Sequence, residues 1–173
     1  MQISFSSTAR QVLTFVFLGT ASLFTAACSD DTPVTPVSKD YAAIDEAVIK
    51  KYLADNNITT AQRQPSGLYY LPVVTNASAV HAASRKTVDV LYIGHLIDGK
   101  VFDSAQDRNK PFTFVLGKGM VIPGWDEGIA LMHKGDKGEL LIPSALAYGA
   151  GGAGSTIPPY SVLRFEVELL DVR

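Results

Sequence analysis

The sequence predicts an α+β fold: an antiparallel β-sheet of five to six strands wrapped around one short α-helix, plus an N-terminal helical extension. Three observations predict it. From Pro65 onward, short β-rich runs follow one another, separated by glycine, proline and aspartate. A single helical stretch, GWDEGIALMHKGD, interrupts that series. Ahead of both, residues 40–57 carry apolar side chains at helical spacing. Strands in series with one helix among them suit an antiparallel sheet packed on a helix.

Taken in order, residues 1–27 read as a signal peptide. Arg10 supplies a positive charge, Val12 to Phe24 form an apolar run, and Thr25, Ala26 and Ala27 precede Cys28. The run is too short for a membrane span and suits an export signal. Its end resembles a bacterial lipobox, although Thr25 stands where leucine is most common. Cys28 is the sole cysteine, so the chain cannot form an internal disulfide. It is the expected lipidation site, and its acyl chains would tether the protein to a membrane without spanning it. Ser29 beside it resembles an outer-membrane sorting signal, and Asp30 and Asp31 resemble surface-export tags. The expected location is therefore the cell envelope, on a periplasmic or surface face.

Residues 28–39, with prolines at 33 and 36, read as a tether. Residues 40–64 read as a helix and linker. Asp40 can cap the helix, Tyr41, Ile44, Val48 and Tyr52 share a face, and Asn56 and Asn57 suit its end. That face needs a partner: the domain surface, or a second copy of the helix, which would make a weak dimer through residues 41–57 of an otherwise monomeric chain.

Residues 65–173 form the folded domain. SGLYYLPVV is a β-rich run after a glycine, and TVDVLYIGHLIDGKVFDS alternates from Val88, with Asp98-Gly99 as a hairpin turn. PFTFVLG is a short strand that begins at a proline. GWDEGIALMHKGD is a brief helix with Trp125 near its start and Gly135 just past its end. KGELLIPS and SVLRFEVELLDVR complete the strands, the second with Leu163, Phe165, Val167 and Leu169 on one face.

Several chemistries are poorly served. The leader's only charged side chain is Arg10, so without it 14 of the 15 basic residues face 17 acidic ones, a net of −3. No nucleic-acid partner is indicated. Gly94 to Lys100 has P-loop spacing, but Val101 stands where a magnesium-binding hydroxyl belongs and the glycines flank a strand and a hairpin turn. His81, His95 and His133 are scattered singly, and no G-x-S-x-G elbow is present. Neither a nucleophile, a metal site nor a cofactor is expected. Rotation about the peptide bond before proline needs none of them: it interrupts amide conjugation, behind a barrier of about 18–20 kcal/mol, and breaks no σ bond.

Residues 66–173 resemble the FKBP-type peptidyl-prolyl isomerases. The resemblance is carried by VLYIGHLIDGKVFDS, DRNKPFTFVLGKGMVIPGWDEGIALM and AYG…IPPYSVLRFEVELL, in family order and at family spacing. It implies that Trp125 is the floor of a proline pocket, with Tyr92, Phe102, Phe112 and Phe165 as aromatic walls and Val121 as an apolar side. By resemblance, the Ile122 backbone N–H meets the substrate carbonyl beside the proline, and the Tyr148 hydroxyl bonds another. Asp103 matches the pocket carboxylate, expected to orient Tyr92; on residue chemistry alone it could instead, or also, pair with Arg108. Ile157 keeps one apolar contact in the flap. Ala153 and Thr156 depart from the histidine and aliphatic residue common there, which leaves macrolide affinity and sequence preference around proline open. The implied partners are proline-containing polypeptides and macrolide inhibitors. The implied role is catalysis of folding among exported proteins, with proline-motif binding or a chaperone module as the alternative.

Overall fold

The computed structural model describes residues 39–106 and 110–173. The expected signal peptide, nearly all of the tether, Cys28 and Arg108 lie outside the described residues. The elements run α1 (Tyr41–Asp55), β1 (Gln62–Arg63), β2 (Tyr69–Val74), β3 (Thr87–Leu96), β4 (Val101–Ser104), β5 (Phe112–Val115), α2 (Pro123–Ile129), β6 (Lys137–Ile142) and β7 (Leu163–Val172). The strands form one antiparallel sheet in the order β1-β2-β6-β7-β3-β4, with β5 also paired to β3.

The ten-residue β3 organises this sheet. Along one edge it pairs with β7 from Val88↔Val172 to Leu96↔Leu163. Its other edge is shared: the first half holds β5 (Thr87↔Val115 to Val90↔Phe112) and the second half holds β4 (Ile93↔Ser104 to His95↔Val101). Alternation then sorts the side chains. Val88, Val90 and Tyr92 of β3 and Leu163, Phe165, Val167 and Leu169 of β7 point into one core with Leu140, Ile142, Trp125 and Ile129.

That core is closed by α2. Pro123 occupies its first turn, where a missing N–H costs nothing, and Asp126 favours the positive end of the helix. Two glycines bring it close to the sheet. A Cβ on Gly124 would lie 2.4 Å from Ile142 Cγ2, and one on Gly128 would lie 2.6 Å from Leu140 Cδ2. The helix ends at Ala130, five residues before Gly135, because Leu131 and Met132 donate to Gly128 and Ile129 in tighter turns.

The opposite face of the sheet carries α1. Ile49 is fully buried there among Tyr69, Leu71, Leu141 and Val162, a burial that contributes about 1.5–3 kcal/mol. Glu46 accepts from the Tyr69 hydroxyl at 2.8 Å and from Arg63 Nε at 3.0 Å. Burial pushes its carboxyl up, but these bonds and Lys50 outweigh it and hold the group below its ordinary value.

Two expectations need correction. The sheet has seven strands, and the added one is β1, two residues paired to β2 through Gln62↔Tyr70 and Arg63↔Tyr69. A polar dipeptide carries no alternation, so it read as linker. The helix limits agree with the sequence, and Asp40 caps α1 by accepting from Ala43 N at 3.2 Å. The buried face, however, is rotated. Ile44 stays 43% exposed, whereas Asp45 and Ile49 are buried, because a carboxylate with specific partners takes the inward position. The partner of α1 in this structure is its own sheet. Among the described residues, no helix is long and apolar enough to cross a membrane.

Candidate active site

Five elements and two loops converge on a cleft of about 270 Å³. It is lined by Tyr92 from β3, Phe102 and Asp103 from β4, Phe112 from β5, Trp125 from α2 and Phe165 from β7. The loop before α2 adds Met120, Val121 and Ile122, and the loop after β6 adds Tyr148.

Trp125 forms the base. It is 4% exposed, and four rings meet it: Tyr92 at 4.9 Å between centroids and 88°, Phe165 at 5.2 Å and 84°, Phe112 at 6.1 Å and 76°, and Phe114 at 5.9 Å. Phe114 is tilted at 51°, and the first three are near edge-to-face contacts, in which positive ring edges meet negative faces. Phe102 meets Phe165 in the same way at 5.5 Å and 88°. The indole Nε1–H is buried with no acceptor among the described residues.

Gly94 makes room for the wall. Its register places it between Phe165 on β7 and Asp103 on β4. A Cβ there would lie 2.7 Å from the Phe102 ring and 2.9 Å from that of Phe165. The two rings can therefore occupy the same side of the cleft only over a bare backbone.

The polar groups sit at the rim. The Tyr92 hydroxyl donates to Asp103 Oδ2, and Ser104 N–H donates to Asp103 Oδ1 at 2.9 Å. The carboxylate thus fixes the Tyr92 ring. Below the rim, Asp126 accepts from Gly117 N at 2.8 Å and Gly119 N at 3.0 Å, which ties the loop carrying Val121 and Ile122 to the first turn of α2. Among the described residues, nothing accepts from the Ile122 N–H. The Tyr148 side chain, 43% exposed, reaches the cleft from the opposite loop.

Of the residues singled out from the sequence, Tyr92, Phe102, Asp103, Phe112, Val121, Ile122, Trp125, Tyr148 and Phe165 meet at this one cleft. Ile157 does not line it. It is 6% exposed in the core and pairs with Ala153 through two backbone hydrogen bonds. Met120 lines the cleft although nothing in the sequence marks it, since an exposed methionine in a glycine loop has no periodicity to betray it. The histidines are not all solitary: His81 and His133 face each other across an isolated β-bridge, with ring centroids 4.8 Å apart. Among the described residues, no three His, Cys, Asp or Glu side chains are grouped as a metal cage requires.

Known proteins share this architecture. Residues 78–170 match the model of the FKBP-type peptidyl-prolyl cis-trans isomerases. An FK506-binding protein of Neisseria meningitidis serogroup C is 54% identical over 91 residues, which are 53% of this chain and 84% of that protein. The peptidyl-prolyl cis-trans isomerase Fkbp12 of Drosophila melanogaster is 44% identical over 106 residues, 61% of this chain and 98% of that one. Among solved structures, FkpA from Escherichia coli superposes with a TM-score of 0.66 at 42% identity, covering 76% of this chain and 61% of that chain. AtFKBP13 superposes with a TM-score of 0.61 at 40% identity, covering 66% of this chain and 100% of that one. The chain belongs to the FKBP-type peptidyl-prolyl cis-trans isomerase family and is an enzyme of that class.

The Gly94 contact gives a direct check on the cleft. Gly94→Ala should displace Phe102 or Phe165, cost about 1–3 kcal/mol of stability as overpacking does, and lower kcat/KM on a proline-containing peptide by roughly tenfold or more. Denaturant titration and a protease-coupled peptide assay read the two effects. Unchanged kcat/KM would show that the ring spacing at Gly94 does not matter.

Proposed function

We propose that the cleft over Trp125 is the active site and that the enzyme accelerates folding of exported proteins from a lipid anchor. The observation that carries the first part is the set of rings around one indole, with Asp103 and Tyr148 at the rim of the same hollow.

The chemistry follows from the amide. Planar, it is conjugated and charge-separated, and water solvates that form well. Twisted, it loses conjugation and polarity. A proline ring seated on Trp125 between Tyr92, Phe102, Phe112, Phe165 and Val121 leaves water, so the planar form loses more solvation than the twisted one. The Ile122 N–H and the Tyr148 hydroxyl then hold substrate carbonyls while the rest of the amide turns. Asp103 keeps Tyr92 in place through its hydroxyl and takes no proton from substrate. Ile157 supports the loop from within through its pairing with Ala153. No covalent step, metal or cofactor enters.

Isomerisation before proline takes tens to hundreds of seconds uncatalysed, long enough to limit folding. The apolar leader and the Thr25-Ala26-Ala27-Cys28 segment support an exported protein acylated at Cys28, with Ser29 favouring outer-membrane sorting. Proteins folding in the envelope would be its substrates, and macrolides its inhibitors.

Two experiments test this reading. In the peptide assay, Asp103→Ala and Phe165→Ala should each lower kcat/KM by roughly tenfold or more, since each removes a group that shapes the transition-state pocket. A folded wild-type chain that binds proline peptides without accelerating them would leave only a binding module. In cells, a clickable fatty acid should label the wild-type chain and not Cys28→Ser. Equal labelling of both would end the lipid-anchor proposal.

A further inference from the structure

Helix α1 lies outside the residues 78–170 that match the family, yet it touches the Tyr148 loop at both of its roots. At the first root, Asp45 is 2% exposed, and its Oδ2 accepts from Ser144 N at 2.8 Å and Ser144 Oγ at 2.6 Å. At the second, the Tyr41 ring stacks on Tyr160 with centroids 3.4 Å apart and planes 3° apart. Tyr41 and Asp45 are i and i+4, neighbours on one face of the helix.

The loop needs holding. Gly149, Gly152 and Gly154 all have positive φ, of 55°, 60° and 55°. Glycine-rich backbone in that region has little stiffness of its own. Tyr160 also has a positive φ of 56°, which a residue with a bulky side chain rarely adopts unaided. Its N–H donates to Gly149 O at 2.8 Å, closing the loop under the Tyr41 stack. From the first root, position passes along the chain: Leu146 N donates to Pro143 O at 2.9 Å and Ala147 N to Ser144 O at 3.0 Å, a tight turn that ends next to Tyr148. An apolar residue at position 45 could dock the helix by packing alone, whereas the two hydrogen bonds that Asp45 accepts from Ser144 also fix its direction.

We propose that Asp45 and Tyr41 are positioning residues for catalysis: α1 clamps both roots of the loop and so sets where the Tyr148 hydroxyl stands over the cleft. The proposal rests on the reading of Tyr148 as a substrate-binding hydroxyl.

A double-mutant cycle in the full chain tests it, with kcat/KM on a proline-containing peptide as the readout. Tyr148→Phe and Asp45→Ala should each lower kcat/KM by about three- to tenfold, the weight of a hydrogen bond or two. The double variant should be no worse than the weaker single, because both act through one hydroxyl. Asp45→Asn, which keeps an acceptor for the Ser144 N–H, should recover part of the loss. Amides 149–157 should exchange hydrogen faster in Asp45→Ala, while those of β3 and β7 do not. Losses that multiply in the double variant, or a wild-type kcat/KM for Asp45→Ala beside an impaired Tyr148→Phe, would overturn the proposal. A silent Tyr148→Phe would instead refute the role of that hydroxyl, and the exchange rates of 149–157 would then decide the clamp alone. Should Asp45→Ala not fold, Tyr41→Ala at the helix end serves in the same cycle.

Discussion

The structure depends on the burial of the Trp125 indole, which is 4% exposed and still lines an open cleft. Gly124 and Gly128 let α2, which carries Trp125, press against Ile142 and Leu140 of β6. Tyr92, Phe112, Phe114 and Phe165 then meet it with their edges or at a tilt. Edge-to-face rings are favoured over a face-to-face sandwich, so most of the contacts to the indole are crossed, although Phe112 and Phe114 stack on each other at 27°. The hollow is therefore a consequence of packing geometry. It stays open because the rings that could close it are already engaged with each other.

The two faces of the sheet divide the work. The inner face and α2 build the cleft, while the outer face buries Ile49 and receives α1. Alternation along β2 and β6 is what permits both: Tyr70, Leu140 and Ile142 enter the inner core, while Tyr69, Leu71 and Leu141 lie under Ile49. The helix thus rests on β2 and β6, and β6 is paired to the strand that brings Phe165 to the cleft. Through Asp45 and Ser144, that helix reaches the segment leading to Tyr148.

Much of this was legible in the sequence because its period is short. The run Val88, Val90, Tyr92 and the run Leu163, Phe165, Val167 announce inward faces by alternation alone, and Asp98-Gly99 announces the turn between β3 and β4. The assignment of aromatics to one pocket came from the family pattern, not from periodicity, which reads each ring as core. What escaped notice depends on distance along the chain or on backbone. β1 is two polar residues that become a strand only when β2 is beside them. The inward turn of Asp45 in place of Ile44 depends on Ser144, ninety-nine residues away. His81 and His133 meet only through a bridge between loops. The Ile122 N–H is a backbone donor that any residue type but proline would supply, so only the family pattern points to it. Ile157, an apolar flap contact by the family pattern, turns back onto Ala153 and is buried outside the cleft lining.

The account has the amide turn because the cleft strips solvent from its planar form, with no proton moving in the slow step. The most direct test is the rate of peptide isomerisation in heavy water against light water, at matched acidity and with substrate well below saturation. The account predicts a ratio close to unity, the same for the wild-type chain and for Tyr148→Phe. A rate several-fold slower in heavy water would mean that a proton is in flight at the transition state, and the Asp103 carboxylate would then have to be more than a brace for Tyr92.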